Sequence, residues 1–272
     1  MSYNNFKRTV WSKHIQHELG KITTFKNDCD FKFEGEAKKG EKVKILGVSR
    51  PTIKDYDGTP IGAPEVVADS SVFLEINQSK SFNFAVDDVD KAQSVEGLMS
   101  SLMEESSIAL AEDEDTFIAT DLAKNSGGVS TSLAITTKDN AKAAVDAAFV
   151  YLWKNGVRFK DKVTMYLSPE FYTLFKDYIM ELKTKNDELV ARGILGLYNN
   201  ASVKLTNNLY NDNTDDHIII KTSRAYAFCD AINSVEAYRP EELFADAVKG
   251  LHVYGGKMVR PKESYCIKAH YK

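Results

Sequence analysis

Few residue sets in this 272-residue chain combine the types and the spacing that chemistry needs. His14 and His17 stand three apart beside Glu18 and could share a metal ion. They also sit next to Lys13 with no further organised ligand, so they read as solvent-facing. The runs Asp87-Asp88-Val89-Asp90 and Glu112-Asp113-Glu114-Asp115 offer carboxylates to a cation. Consecutive acids on a helix point in different directions, and both runs lack the turn glycine and spaced glutamate of a calcium loop. A charged surface facing a partner is the better reading. Asn211-Asp212-Asn213-Thr214-Asp215-Asp216-His217 imitates a calcium loop, but without the glycine it reads as a hairpin turn. Ser168 could be a nucleophile, yet Pro169 and Glu170 behind it make it a helix cap. Cys29, Cys229 and Cys266 lie far apart, which argues against a zinc knuckle or a disulfide framework and fits a reducing cytoplasm. There is no GxGxxG, GxxxxGK[ST], GxSxG or HExxH sequence. No catalytic, cofactor or metal residue is assigned, and an enzyme has no positive support.

The elements that would position such residues have an unusual order. Residues 1–30 carry one short apolar stripe, Val10, Trp11, Ile15 and Leu19, which cannot bury its own face and must dock elsewhere. From Phe31 to Val86 the period is two, with Val43 and Ile45 in one strand and Val72, Leu74, Ile76, Phe82, Phe84 and Val86 following. Between them, Gly47 to Ser71 holds three of the six prolines and is too long for a tight hairpin turn. It reads as a long β-arm projecting from the body. Asp87 to Lys124 has the longest helical rhythm, closed by Gly127–Gly128. A helix behind Thr137–Asp139, an alternating strand at Val163, Met165 and Leu167, and a helix behind Ser168 form a β-α body. Residues 183–200 read as a loop. The tail from Val235 to Tyr271 reads as short strands broken at Gly255–Gly256 and Pro261.

Length allows one large or two ordinary domains, and 43% apolar residues suffice for a core. No apolar run reaches the roughly 18 residues of a membrane helix, and the first residues lack the apolar segment of a secretory signal. Net charge is −4, which disfavours tight sequence-independent binding to nucleic acid. The mean conceals a split. Residues 1–54 carry twelve Lys/Arg against six acids, whereas residues 87–121 carry eleven acids and only Lys91.

Several stretches resemble one family. Phe33-Glu34-Gly35-Glu36, with Gly40-Glu41-Lys42-Val43-Lys44-Ile45, is similar to the start of the extended E-loop in tailed-phage major capsid proteins of the Hong Kong ninety-seven fold. Phe84 to Gln93 is similar to the return from that loop into the spine helix. Tyr238-Arg239-Pro240, Phe244 to Gly250, Tyr254-Gly255-Gly256-Lys257 and Arg260-Pro261 resemble the segment by which these proteins leave the axial domain.

The resemblance implies an α+β capsid fold. Residues 1–30 would be an N-terminal arm, 31–86 the E-loop with its flanking strands, and 87–128 the spine helix of the peripheral domain. An axial domain would follow over 129–234, a return through the peripheral domain over 235–262, and a C-terminal strand over 263–272. It also implies hexamers and pentamers of an icosahedral phage head around double-stranded DNA, bound without sequence specificity. A portal and a separate scaffolding protein would be partners, and the protein would reside in the virion after assembly in the bacterial cytoplasm. No cofactor, membrane or covalent crosslink is expected. The charge split adds that the basic arm and E-loop dock on the acidic spine of adjacent subunits. The assembly interface would then include Lys38, Lys39, Lys42, Arg50, Lys54, Asp55, Tyr56, Glu112, Asp113, Glu114, Asp115, Arg239 and Arg260. An encapsulin-like compartment is the nearest alternative, and a cytosolic enzyme with an unrecognised site a more distant one.

Overall fold

A computed structural model describes residues 24–33, 42–46, 53, 55, 71–87, 98–181 and 197–271. Its largest sheet has six strands in the order β4-β11-β8-β5-β7-β6. These are β4 Gly128–Ala134, β5 Val163–Leu167, β6 Leu197–Tyr198, β7 Ala201–Leu205, β8 Asp216–Thr222 and β11 Ser264–His270. β11 runs parallel to β4 and antiparallel to β8, and β5 pairs parallel with β7 and antiparallel with β8. Two helices, Lys138–Lys154 and Pro169–Glu181, cover one face. Their apolar stripes, with Ala144, Val145, Ala148, Phe149 and Leu152 from one and Phe171 and Phe175 from the other, meet Val163, Met165, Leu167, Ile218 and Ile220. The first of these helices starts at an N-cap, Thr137, whose side chain accepts from the Asn140 N–H. Alternation predicts a half-buried strand at Val163–Leu167, but all five residues are buried because the sheet is covered on both faces.

The second face is covered by the long helix Leu98–Asn125, here α1, with the other two helices α2 and α3 in chain order. The rhythm predicts this helix from Asp87. Asp87 instead ends the strand β3, Gln78–Asp87, and residues 88–97 lie outside the described set. Its 28 residues span about 42 Å at 1.5 Å per residue, so it reaches from the six-stranded sheet to a second, three-stranded one. That second sheet has the order β3-β10-β9, with β9 Tyr226–Tyr238 and β10 Ala245–Met258. Met103 and Ala111 of α1 pack there against Val235 and Val248, with Phe82 and Phe84 alongside. β9 already crosses into this sheet at Tyr226.

The tail differs from a set of short strands. β10 is one strand of 14 residues that passes straight through Gly255 and Gly256. A β-carbon on Gly255 would lie 2.3 Å from the Glu75 carbonyl oxygen, so glycine here admits a crossing backbone rather than a turn. The backbone that crosses belongs to β2, Val72–Glu75, which pairs antiparallel with β1, Lys42–Ile45, in a two-stranded sheet. Val43, Ile45 and Leu74 bury their inner face against Ala227 and Cys229 of β9. The connection between β1 and β2, apart from Leu46, Ile53, Asp55 and Ser71, lies outside the described residues.

Candidate assembly surfaces

The junction of the two larger sheets is held by residues 24–30, a short strap containing one 3-10 turn, Lys26–Asp28. Asp30 bridges to Ala227 of β9, its N–H donating to the Tyr226 carbonyl at 2.9 Å. Phe25 is fully buried and stacks on Tyr166 of β5 at 4.0 Å. The backbone N–H groups of Thr24 and Phe25 donate to the two Asp115 oxygens at 3.1 and 3.2 Å.

Charge concentrates on this strap. The buried Asp28 carboxylate accepts from Lys204 and from the Tyr166 hydroxyl at 2.8 Å, and Lys162 lies 3.5 Å away. Lys221, buried in β8, donates to the Asp28 main-chain carbonyl at 2.6 Å. Burial works against the Asp28 carboxylate, but the Lys204 and Tyr166 hydrogen bonds outweigh it and hold its pKa below the usual range. Burial lowers the Lys221 ammonium and raises Tyr166. On the other side of the strap, Lys26 pairs with Glu114 at 3.3 Å and with Asp230 of β9. Burial pushes the Cys29 thiol up to about 11 and Cys266 to about 12, so neither is a ready nucleophile. Among the described residues no group of His, Cys, Asp and Glu could hold a metal ion.

The expected interface residues divide three ways. Lys38, Lys39, Arg50, Lys54 and Tyr56 lie outside the described residues, as do His14 and His17. Lys42, Asp55, Glu112 and Arg260 are exposed, Lys42 pairing with Glu75 at 2.8 Å and Arg260 with Glu263 at 3.1 Å. Arg239 is exposed in the connection between β9 and β10. Asp113 is half-buried between Lys80, at 3.1 Å, and the Tyr254 hydroxyl, at 2.7 Å. Glu114 and Asp115 differ from the expected charged surface: both are buried within the chain itself. The helical turn that exposes Glu112 aims the next two acids inward, where Lys26 and the strap backbone receive them. Basic arm and acidic helix thus meet within one chain at this point. Sequence reasoning missed Asp28, Lys221, Asp230 and His252. The visible signal was Lys221, one lysine directly behind the apolar run Ile218–Ile220.

Other candidates resolve as structure. Asn211 bridges Asp216, and Asn213 takes a positive φ of 71°, a hairpin turn closed by the Asn213 and Asp215 N–H groups donating to the Asn211 and Asp212 side chains. The Ser168 hydroxyl lies 2.7 Å from the Tyr271 hydroxyl and 3.5 Å from the Phe171 N–H, at the start of α3.

Among the described residues, several large apolar side chains stay exposed near the ends of elements. Phe73 of β2 is 52% exposed and Leu46 beyond β1 is 71% exposed. Leu243 and Phe244, in the connection before β10, are 59% and 84% exposed. No family model and no curated protein matches the sequence. Among solved structures, a chain of Mycobacterium phage Che8 is 31% identical, with a TM-score of 0.79 and 90% of each chain covered. The chain belongs to the tailed-phage major capsid proteins. The capsid of Cyanophage P-SCSP1u shares the fold at 14% identity and a TM-score of 0.69, covering 86% of this chain and 84% of that one. A virus-like particle from Pyrococcus furiosus does so at 13% identity and a TM-score of 0.59, covering 98% and 100%. Such neighbours place the protein in the virion as a structural component. No described helix is long and apolar enough to cross a membrane.

Proposed function

We propose that this capsid protein assembles as hexamers and pentamers into an icosahedral phage head that encloses double-stranded DNA without reading its sequence. The likeness to the Che8 chain over nine-tenths of both chains carries the reading. The uncovered apolar groups on the β1–β2 pair and beside Phe244 support it, because ends without a partner in their own chain become ordered by burial on another copy. The contacts would run through the β1–β2 arm, with Lys42, Asp55 and beyond them Lys38, Lys39, Arg50, Lys54 and Tyr56, and through Glu112, Asp113, Arg239 and Arg260. The arm would belong to an E-loop, α1 to the spine, and the six-stranded sheet to the axial domain. A scaffolding protein and a portal would act as partners, with assembly in the bacterial cytoplasm and no catalytic step.

Light scattering and negative-stain electron microscopy of the expressed protein test this. Megadalton closed particles are expected, and a stable 30.4 kDa monomer overturns it. Phe244→Asp should leave the thermal stability of the unassembled subunit within about 0.5 kcal/mol, as at exposed sites generally, while sharply reducing particle yield. The near-complete overlap with the Pyrococcus particle favours a second reading, a protein compartment. Nuclease-protected DNA in particles from infected cells supports the phage head, whereas a protein cargo supports the compartment.

A further inference from the structure

The strap's second charge cluster does not balance. Glu114 is fully buried, and both its oxygens lack a well-angled hydrogen bond. It shares the single ammonium of Lys26 with Asp230. His252 of β10 is also buried. One ring nitrogen, Nε2, lies 3.1 Å from Asp230 Oδ1, and the other, Nδ1, has no partner. The neighbours on α1 are already committed, Asp113 to Lys80 of β3 and Tyr254 of β10, and Asp115 to the strap backbone. The nearby Cys29 is a neutral thiol held up by burial. One fully buried and one part-buried carboxylate against one ammonium leave a net negative charge at the site unless a proton joins them.

We propose that Glu114, Lys26, Asp230 and His252 form a proton-dependent latch: the strap 24–30 is locked across the sheet junction while Glu114 is protonated and loosens when it ionises. Burial, offset in part by Lys26, pushes the Glu114 carboxyl up to about 7. A group raised in the closed state stabilises that state fully below its ordinary value, and the contribution is lost as pH rises through the raised value. The latch is therefore weakened progressively from the ordinary carboxylate range up to about pH 7, with the last part of the change falling between pH 6 and pH 8. Asp230 and Lys26 keep their charges through that window. Burial is outweighed at Asp230 by His252 and Lys26, so its carboxyl is lowered and its contribution falls away only in acid. Lys26 is raised by Glu114 and Asp230 against burial, and it keeps its proton. The strap ties α1, β9 and β5 together, so its release would free the two larger sheets to reorient.

Hydrogen exchange of the full-length chain, measured at pH 6 and pH 8 and corrected for intrinsic rates, tests the latch. The amides of Asp28, Cys29, Asp30 and Phe228, bonded within or to the strap, report opening. For a carboxyl moving from about 7 when closed to its ordinary value when open, opening should rise about tenfold across this interval. Amides in α2 should not change. Glu114→Gln should stay protected at both pH values. Asp230→Asn leaves Glu114 alone with Lys26 and should also abolish the step, so the result does not depend on one variant folding. A wild-type chain with no step, or with an equal step in α2, overturns the proposal. So does a full step in either variant.

Discussion

The six-stranded sheet is covered on both faces, and the two faces are built differently. Toward α2 and α3 it offers Val163, Met165, Leu167, Ile218, Ile220 and Ile267 to two apolar stripes, with hydrocarbon on both sides. Toward α1 and the strap it offers Tyr166, Ile219 and Lys221, which meet Phe25 and Asp28, Tyr166 at the carboxylate and Lys221 at the main-chain carbonyl. The first face needs only shape and volume to match. The second needs each charge to find its partner, since a buried ion pair gains little net energy but costs much when one member is removed. The apolar face therefore supplies stability. The charged face decides where the strap sits, and with it how the two sheets are joined.

The largest expected effects separate the faces by pH. In unassembled subunits at pH 7, Phe149→Ala should cost about 3–5 kcal/mol through the cavity it leaves. Asp28→Ala should cost a similar amount, about 3–5 kcal/mol, by removing the opposite charge beside the buried Lys221 and the acceptor of the buried Tyr166 hydroxyl. Because the Asp28 carboxyl is lowered in the folded chain, its contribution is present above the ordinary carboxylate range and is lost as pH falls through the lowered value. Guanidinium unfolding should thus find the Asp28→Ala penalty shrinking in acid and the Phe149→Ala penalty constant. Equal pH profiles would erase the distinction. A smaller effect follows from Tyr166→Phe, which keeps the stacking on Phe25 but removes one donor to Asp28, for about 1.5–3 kcal/mol. The smallest belongs to Lys249→Ala in β10, whose 3.2 Å pair with Glu236 is exposed, at about 0.2–1 kcal/mol and weaker in salt.

The same contrast explains what could be read from sequence. α2 and α3 were legible because their apolar residues recur at helical spacing behind a Thr137 cap and a Pro169 start. β1, β2 and β3 were legible from alternation. The inward face of α1 was not, since it runs through Met103, Ser107, Ala111, Glu114, Asp115, Ile118 and Leu122. Polar residues interrupt that stripe, and apolarity alone places Glu114 and Asp115 on the surface. Their partners, Lys26 for Glu114 and the Thr24 and Phe25 N–H groups for Asp115, lie about 90 residues away along the chain, so no local pattern could reveal them. Gly255 and Gly256 were misread as a break because glycine serves both turns and close crossings. The two uses differ only in what passes overhead.

One position in the large sheet has a consequence for timing. β11 is the last strand in chain order, yet it lies inside the sheet, between β4 and β8. While the chain is being synthesised, β4 has no neighbour and β8 has one open edge until Ser264–His270 emerges. The six-stranded sheet therefore closes only after every other described strand has been made, so its two halves stay apart until the last one arrives.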